Sequence, residues 1–156
     1  MTAIWRKTFA AAAVLAATGT VAGPAAAKER LPASAVLSAP LSGSEVTPGP
    51  GDPDGTGMFS ATLARDSGEL CYELQVHHIH YASAARIHVG REGRADLSVA
   101  TLAIPDAEGK ASGCVTLDRK LARHLIMLPE HYYLSVYNVN FLNGALRGQL
   151  GSNATP

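Results

Sequence analysis

Apolar and polar residues alternate along much of this chain, with the two-residue period of a half-buried β-strand. The segment 58–65 places its larger apolar residues on one face, and the segment 70–78 repeats the pattern. The turn-forming run 66–68, Asp-Ser-Gly, separates the two segments. Together they predict a β-hairpin.

The same pattern, interrupted by glycine and proline, predicts most of the remaining elements. Further strands are expected at 35–41, 84–89, 98–104, 112–117, 132–139 and 145–150. A single helix is expected at 119–127, because Asp118 can cap it, Leu121 and Leu125 form an apolar stripe, and Pro129 follows its end. Many short strands with one short helix predict an all-β protein, an antiparallel Greek-key-like β-sandwich.

The N-terminus has the features of a secretory signal peptide. Arg6 and Lys7 precede an uncharged, Ala-rich apolar run at 9–22, and 25–27 supplies small residues for cleavage. The expected organisation is a signal peptide at 1–27, an N-terminal lead and first strand at 28–40, a sandwich domain at 41–150 and a disordered tail at 151–156. We therefore expect a secreted or periplasmic protein with no transmembrane segment after cleavage.

Charge argues against nucleic acid as a partner. The 156 residues carry 13 basic and 13 acidic side chains. Loss of Arg6 and Lys7 with the signal peptide would leave 11 basic and 13 acidic side chains, a net charge of about −2. No basic cluster suited to nucleic acid or anionic lipid is present in this composition.

The two cysteines, Cys71 and Cys114, both lie on the polar side of predicted strands. A free thiol is usually buried, whereas export permits a disulfide. We therefore predict a Cys71–Cys114 bridge, with two free thiols as the alternative.

Several motifs, in this order and spacing, resemble the CHRD domain family, named after its occurrence in chordin. They lie at 41–46 (LSGSEV), 55–59 (GTGMF), 70–76 (LCYELQV), 85–90 (ARIHVG), 132–137 (YYLSVY) and 144–150 (GALRGQL). The chain is most similar to secreted, single-domain members of the bacterial type. The resemblance implies a β-rich extracellular or periplasmic domain, in a family without one uniform activity.

This chain departs from the family pattern at two of three histidine positions. Arg86 stands at the first position, His88 retains the second, and Tyr137 stands at the third. Three imidazoles on a β-scaffold would suit copper or zinc, but arginine offers no lone pair and repels a cation. The substitutions predict that no metal or other cofactor is required.

The altered motif instead suggests a ligand site. Arg86 and His88 share one strand face, and Tyr137 and Arg147 are expected to lie near them. These four side chains could bind an anionic or carboxylate-bearing ligand. The alternative interpretation is a polar network that only ties the strands together.

A second group of histidines leaves a metal alternative open. His77, His78 and His80 are close in sequence, and His88 could complete a copper or zinc site with them. No carboxylate or cysteine at a characteristic ligand spacing completes the set, and histidines where a strand enters a loop are more often surface groups, so no metal is expected here and the metal site is the alternative.

No catalytic motif is evident, which favours a non-enzymatic protein. The chain has no Gly-x-Ser-x-Gly elbow, and a disulfide would leave no nucleophilic cysteine. The predicted function is a binding or structural module of the cell envelope, whose partner is a protein or an extracellular polymer. Tyr132 and Tyr133 point to opposite faces, and a core or strand-pairing role is favoured for both, with one hydroxyl paired near the rim of the core; exposure of the other tyrosine for recognition is the alternative.

Overall fold

The computed structural model describes residues 31–95 and 97–152. The predicted signal peptide at 1–27 lies outside these described residues. The strands are β1 (Ser34–Ser42), β2 (Thr56–Ala64), β3 (Glu69–His77), β4 (Ala82–Val89), β5 (Ser98–Leu102), β6 (Lys110–Thr116), β7 (Tyr132–Asn138), β8 (Leu146–Gln149) and β9 (Gly151–Ser152). The helix α1 (Arg119–Met127) and a 3₁₀ turn at Pro129–His131 lie between β6 and β7.

All the described strand pairs are antiparallel and belong to one sheet. Its order is β5-β4-β7-β8-β1-β2-β3-β6, with β9 paired to β1. The two edge strands, β5 and β6, are joined by one loop, and just after β5 the Ala103 amide donates to the Tyr72 hydroxyl of β3 at 2.7 Å. The sheet is therefore nearly closed, like a barrel, and the predicted all-β antiparallel class with one short helix is confirmed.

The inner face of this sheet forms the hydrophobic core. The predicted hairpin is present as β2 and β3, with Phe59 opposite Leu74 and both side chains buried. Helix α1 has the predicted bounds and closes over the core with Leu125, which is fully buried. As predicted, the Asp118 carboxylate caps it, accepting a hydrogen bond from the Lys120 amide at 2.8 Å.

The predicted boundaries of the domain fall within or next to strands of the sheet. The predicted boundary at residue 41 falls inside β1, which runs from Ser34 to Ser42. The predicted tail begins with β9, where Gly151 pairs with Ser38 of β1, while residues 153–156 lie outside the described part of the chain. Among the described helices, none is long and apolar enough to cross a membrane.

The predicted disulfide is present and joins β3 to β6. Cys71 and Cys114 are direct partners in the antiparallel register, with their Cα atoms 4.0 Å apart. Their side chains lie on the outer side of the sheet, together with the exposed Glu73 and Gln75. This location explains why the sequence places both sulfurs on polar strand faces.

Candidate functional site

The outer side of β4, β7 and β8 is polar and yet mostly buried. We call it the covered face, and define it by Arg86, His88, Tyr133, Ser135, Tyr137, Arg147 and Gln149. On β4, Ala85 and Ile87 point into the core, so strand alternation places the two flanking polar residues outward. The register then aligns Arg86, Ser135 and Arg147 in one row across three strands.

Loops from three parts of the chain cover this face. The β1–β2 loop is tied to the β7–β8 loop, because the Asp52 amide donates to the Ala145 carbonyl at 2.8 Å. The β4–β5 loop turns at Gly90, whose φ of 145° and close approach to Tyr133 would not tolerate a side chain. Between the loops lies a depression of about 250 Å³. It is lined by Val46, Thr47, Pro48, His88, Ala95, Tyr133, Ser135, Tyr137, Leu142 and Asn143.

His88 and Tyr137 form a hydrogen-bonded pair within this depression. The Tyr137 hydroxyl lies 2.9 Å from His88 Nε2, and either group can donate, depending on the imidazole tautomer. His88 is only 7% exposed, and its ring stacks on Tyr133 with centroids 5.0 Å apart and planes 9° apart. The imidazole is therefore held by contacts with two tyrosines.

Arg86 lies at the exposed edge of the same cluster. Its guanidinium carbon is 5.8 Å from the centre of the Tyr137 ring. Burial raises the pKa of the Tyr137 hydroxyl, while a hydrogen bond from Ser135 and the positive charge of Arg86 oppose that rise. The phenol is thus neutral near pH 7 and available as a hydrogen-bond donor.

Arg147, by contrast, is committed to internal contacts. It is 2% exposed, and its guanidinium carbon lies 3.7 Å from the centre of the Tyr133 ring. Its Nη2 donates to the Arg91 carbonyl at 2.9 Å, which fastens the β4–β5 loop. Burial lowers the pKa of Arg147, although nearby Tyr133 and Glu45 act in the opposite direction. Among the described residues, its Nη1 atom is buried without a hydrogen-bond partner.

The four predicted ligand residues therefore have different roles in the geometry. Arg86, His88 and Tyr137 come together as the sequence predicts. Arg147 lies on the same face but contacts Tyr133, whose ring in turn stacks on His88. Whether any of them binds a ligand stays a prediction.

The two tyrosines at the start of β7 are on opposite sides of the sheet. Tyr132 is in the core and its hydroxyl pairs with His124 Nδ1 at 2.7 Å, as expected of one tyrosine. Tyr133 is buried as well, in line with the role favoured for both tyrosines: it is 3% exposed and packs between Arg147 and His88, so the alternative of exposure for recognition is wrong.

Sequence reasoning missed two side-chain amides, the half-buried Gln149 and the buried Asn138, and both organise the covering loops. Gln149 Nε2 approaches the carbonyls of Gly90, Glu130 and Tyr132 at 2.9, 2.8 and 2.7 Å. Asn138 is fully buried and its Oδ1 accepts from the Phe141 amide at 2.9 Å, at the start of the β7–β8 loop. The one indication in the sequence is that Gln149 lies two residues after Arg147 on the same strand, so that both side chains point to the same side of the sheet.

The histidines of the metal alternative lie apart from this cluster. His77, His78 and His80 are exposed and line a separate depression of about 440 Å³. Within the described residues, no three of these imidazoles and His88 place their ligand atoms within 4.8 Å of one another. The arrangement does not favour a metal site built from them.

Comparison with known proteins agrees with the motifs. The chain matches none of the curated proteins and none of the solved structures at a significant level. The family model of the CHRD domain matches residues 37–150, from β1 to the end of β8. This match spans most of the chain and includes every residue of the covered face, and such a domain supports a non-catalytic role in general. The chain therefore belongs to the CHRD domain family.

Proposed function

We propose that this protein is an exported, non-catalytic binding module of the cell envelope, which uses its covered face to hold a carboxylate group. The partner that carries the carboxylate is a protein or an extracellular polymer. One observation carries the proposal. The hydrogen-bonded pair His88–Tyr137 lines an open depression of about 250 Å³, beside the exposed guanidinium of Arg86.

The groups around the depression suit a carboxylate. Arg86 can form charge-assisted hydrogen bonds with it, and the Tyr137 hydroxyl can donate to one of its oxygens when His88 Nε2–H donates to Tyr137. Apolar side chains on the loop side, Val46 and Leu142, can contact the carbon atoms next to the carboxylate. The depression supplies both a polar floor and an apolar wall.

The size of the depression favours one group of a larger partner over a free small molecule. Pockets for drug-sized ligands usually enclose about 300–1,000 Å³. At about 250 Å³ this depression suits one acidic side chain or one acidic sugar unit. A partner of many such units would gain affinity through additional contacts on the loops.

Titration of isotopically labelled protein with two probes tests the proposal. The probes are a glutamate-rich hexapeptide and a polyuronate, which separate a protein partner from a polymer. We expect amide shifts at His88, Ser135 and Tyr137 with at least one probe, and binding about 10-fold weaker in Arg86→Gln, as expected for loss of a charge-assisted hydrogen bond.

Arg119→Gln is the matched control, because it removes an exposed cation on α1 instead. Its affinity should equal that of the wild type. Equal affinity of Arg86→Gln and Arg119→Gln, or no shifts in the depression with either probe, would favour the alternative in which these groups only connect strands.

Export is tested separately by the N-terminus of the protein made in cells. Cleavage after Ala27 predicts a mature chain that begins at Lys28 and is recovered outside the cytoplasm. Intact-mass measurement of the exported fraction checks this cleavage. A cytoplasmic protein that retains residues 1–27 contradicts the export part of the proposal and leaves the ligand site untouched.

A further inference from the structure

The disulfide lies beside a carboxylate on the outer side of β3 and β6. Glu69 and Cys71 are two residues apart on β3, so both side chains point outward. The carboxylate Oε1 of Glu69 is 3.4 Å from Cys71 Sγ. One potential ligand atom from each of Glu69, Cys71 and Cys114 lies within 4.8 Å of the others, the one such group of three among the described residues.

We propose that reduction of the Cys71–Cys114 disulfide converts this group into a zinc site. Disulfide sulfurs are poor ligands, whereas two thiolates and one carboxylate form a three-ligand set that leaves a fourth position for water. Thiolates select zinc over calcium or magnesium. Zinc bonds of about 2.3 Å to sulfur and about 2.0–2.2 Å to oxygen require ligand atoms roughly 3.5–4 Å apart, close to the present spacing of Glu69 and Cys71.

Strand pairing keeps the ligands together after the bond is broken. Cys71 and Cys114 are opposite each other in a register that continues from Glu69–Thr116 to Gln75–Lys110. The inward neighbours of Cys71, Leu70 and Tyr72, are buried in the core, so the position of β3 does not depend on the disulfide alone. Two thiols on this frame are already close enough to share one ion.

The chemistry requires a dithiol reductant. One thiolate of the dithiol attacks Sγ of Cys114, which is the exposed partner, and the Cys71 thiolate leaves. The second thiol then displaces Cys114, so the dithiol becomes a disulfide and transfers two electrons to the protein. Zn²⁺ binds the two released thiolates, and the two protons of the dithiol pass to water. In the reverse exchange the disulfide form of the same dithiol accepts two electrons and two protons, the Cys71–Cys114 bond forms again, and the ion is released.

Zinc titration of untagged protein tests the proposal, with one sample oxidised and the other reduced by a phosphine. We expect one Zn²⁺ per reduced chain and none at this site in the oxidised chain. Cobalt substitution should add a sulfur-to-metal charge-transfer band in the reduced sample only. In reduced protein, Glu69→Gln should weaken zinc binding about 10-fold or more, since it removes one of three ligands.

Glu73→Gln is the matched control, since Glu73 is an exposed carboxylate on the same face of β3, two residues beyond Cys71, but outside the ligand group. It should bind zinc like the wild type, and Cys71→Ser/Cys114→Ser should not bind. Three results would overturn the proposal: equal zinc binding by oxidised and reduced chains, equal effects of Glu69→Gln and Glu73→Gln, or loss of the β-sheet circular dichroism on reduction.

Discussion

The outer side of the sheet has two regions that the strand pattern does not distinguish. On β3 every second residue is buried, and the outward ones are exposed except for the half-buried Cys71. On β7 six of the seven residues are buried, including the outward Tyr133 and Ser135. We refer to the outer side of β2, β3 and β6 as the open face. Loops lie over the covered face, whereas most outward side chains of the open face are exposed to solvent.

The difference shows how loops turn a polar strand surface into a buried network. Outward side chains on the open face are hydrated, so they need no protein partners. On the covered face most buried polar groups are paired, and Tyr133 and Ser135 lie within a network of rings and hydrogen bonds. Nη1 of Arg147 and Oε1 of Gln149 have no hydrogen-bond partner among the described residues. The open face relies on a covalent link between strands, and the covered face on non-covalent contacts between strands and loops.

Removal of the covalent link should have the largest effect on stability. The bridge between Cys71 and Cys114 spans a sequence separation of 43 residues. In the chain-entropy description, closing a loop of that size stabilises the fold by about 4 kcal/mol. Cys71→Ser/Cys114→Ser should therefore lower the free energy of unfolding in urea by about that amount.

Ser112→Ala is the control for this variant, because Ser112 is exposed on the same face of β6. It should change the free energy of unfolding by less than about 0.5 kcal/mol. If the double cysteine variant were equally mild, strand pairing alone would account for the stability of the open face.

Arg86 and Arg147 flank Ser135 in the strand register. They test whether burial beneath the loops determines how much an arginine contributes to the free energy of unfolding. Arg147 is 2% exposed and stacks on Tyr133, whereas Arg86 is exposed. Arg147→Ala removes a buried cation–π contact, a hydrogen bond to the Arg91 carbonyl and packing, so unfolding should require about 3 kcal/mol less.

Arg86→Ala should change the free energy of unfolding by less than about 0.5 kcal/mol, as is usual for exposed residues. Chemical denaturation of both variants measures the difference. Equal effects would show that the loops above the covered face do not stabilise the fold through Arg147.

The sequence predicts the open face better than the covered face, for a physical reason. Alternation is local, so the β2–β3 hairpin, the bounds of α1 and the outward Cys71 follow from neighbouring residues. Burial of Tyr133 depends on loops that are far away in sequence, such as the β1–β2 loop. Strand parity placed Arg86 and His88 on one side, but no local signal shows which polar residues are covered.

Removal of the Tyr137 hydroxyl tests how much one hydrogen bond of the covered face contributes to the free energy of unfolding. Tyr137→Phe keeps the ring and removes the hydrogen bond to His88, which leaves buried Nε2 without this partner. The free energy of unfolding should fall by about 1–2 kcal/mol. Tyr81→Phe is the matched control, because Tyr81 is 69% exposed, and it should leave stability unchanged. Equal stability of the two variants would mean that the His88–Tyr137 bond contributes nothing net.

The smallest expected effect is a dependence of stability on alkaline pH. Burial raises the pKa of Tyr137 and of Tyr132 above the ordinary tyrosine value of 10.0. The folded chain then holds these protons more tightly than the unfolded chain, so their stabilising contribution is complete below pH 10 and is lost as the pH rises through the folded pKa values. Urea midpoints should therefore decrease as the pH rises above about 10, and less steeply in Tyr137→Phe than in the wild type. Parallel curves for the two proteins would show that the Tyr137 hydroxyl titrates as if exposed, and that the cover above it admits water freely.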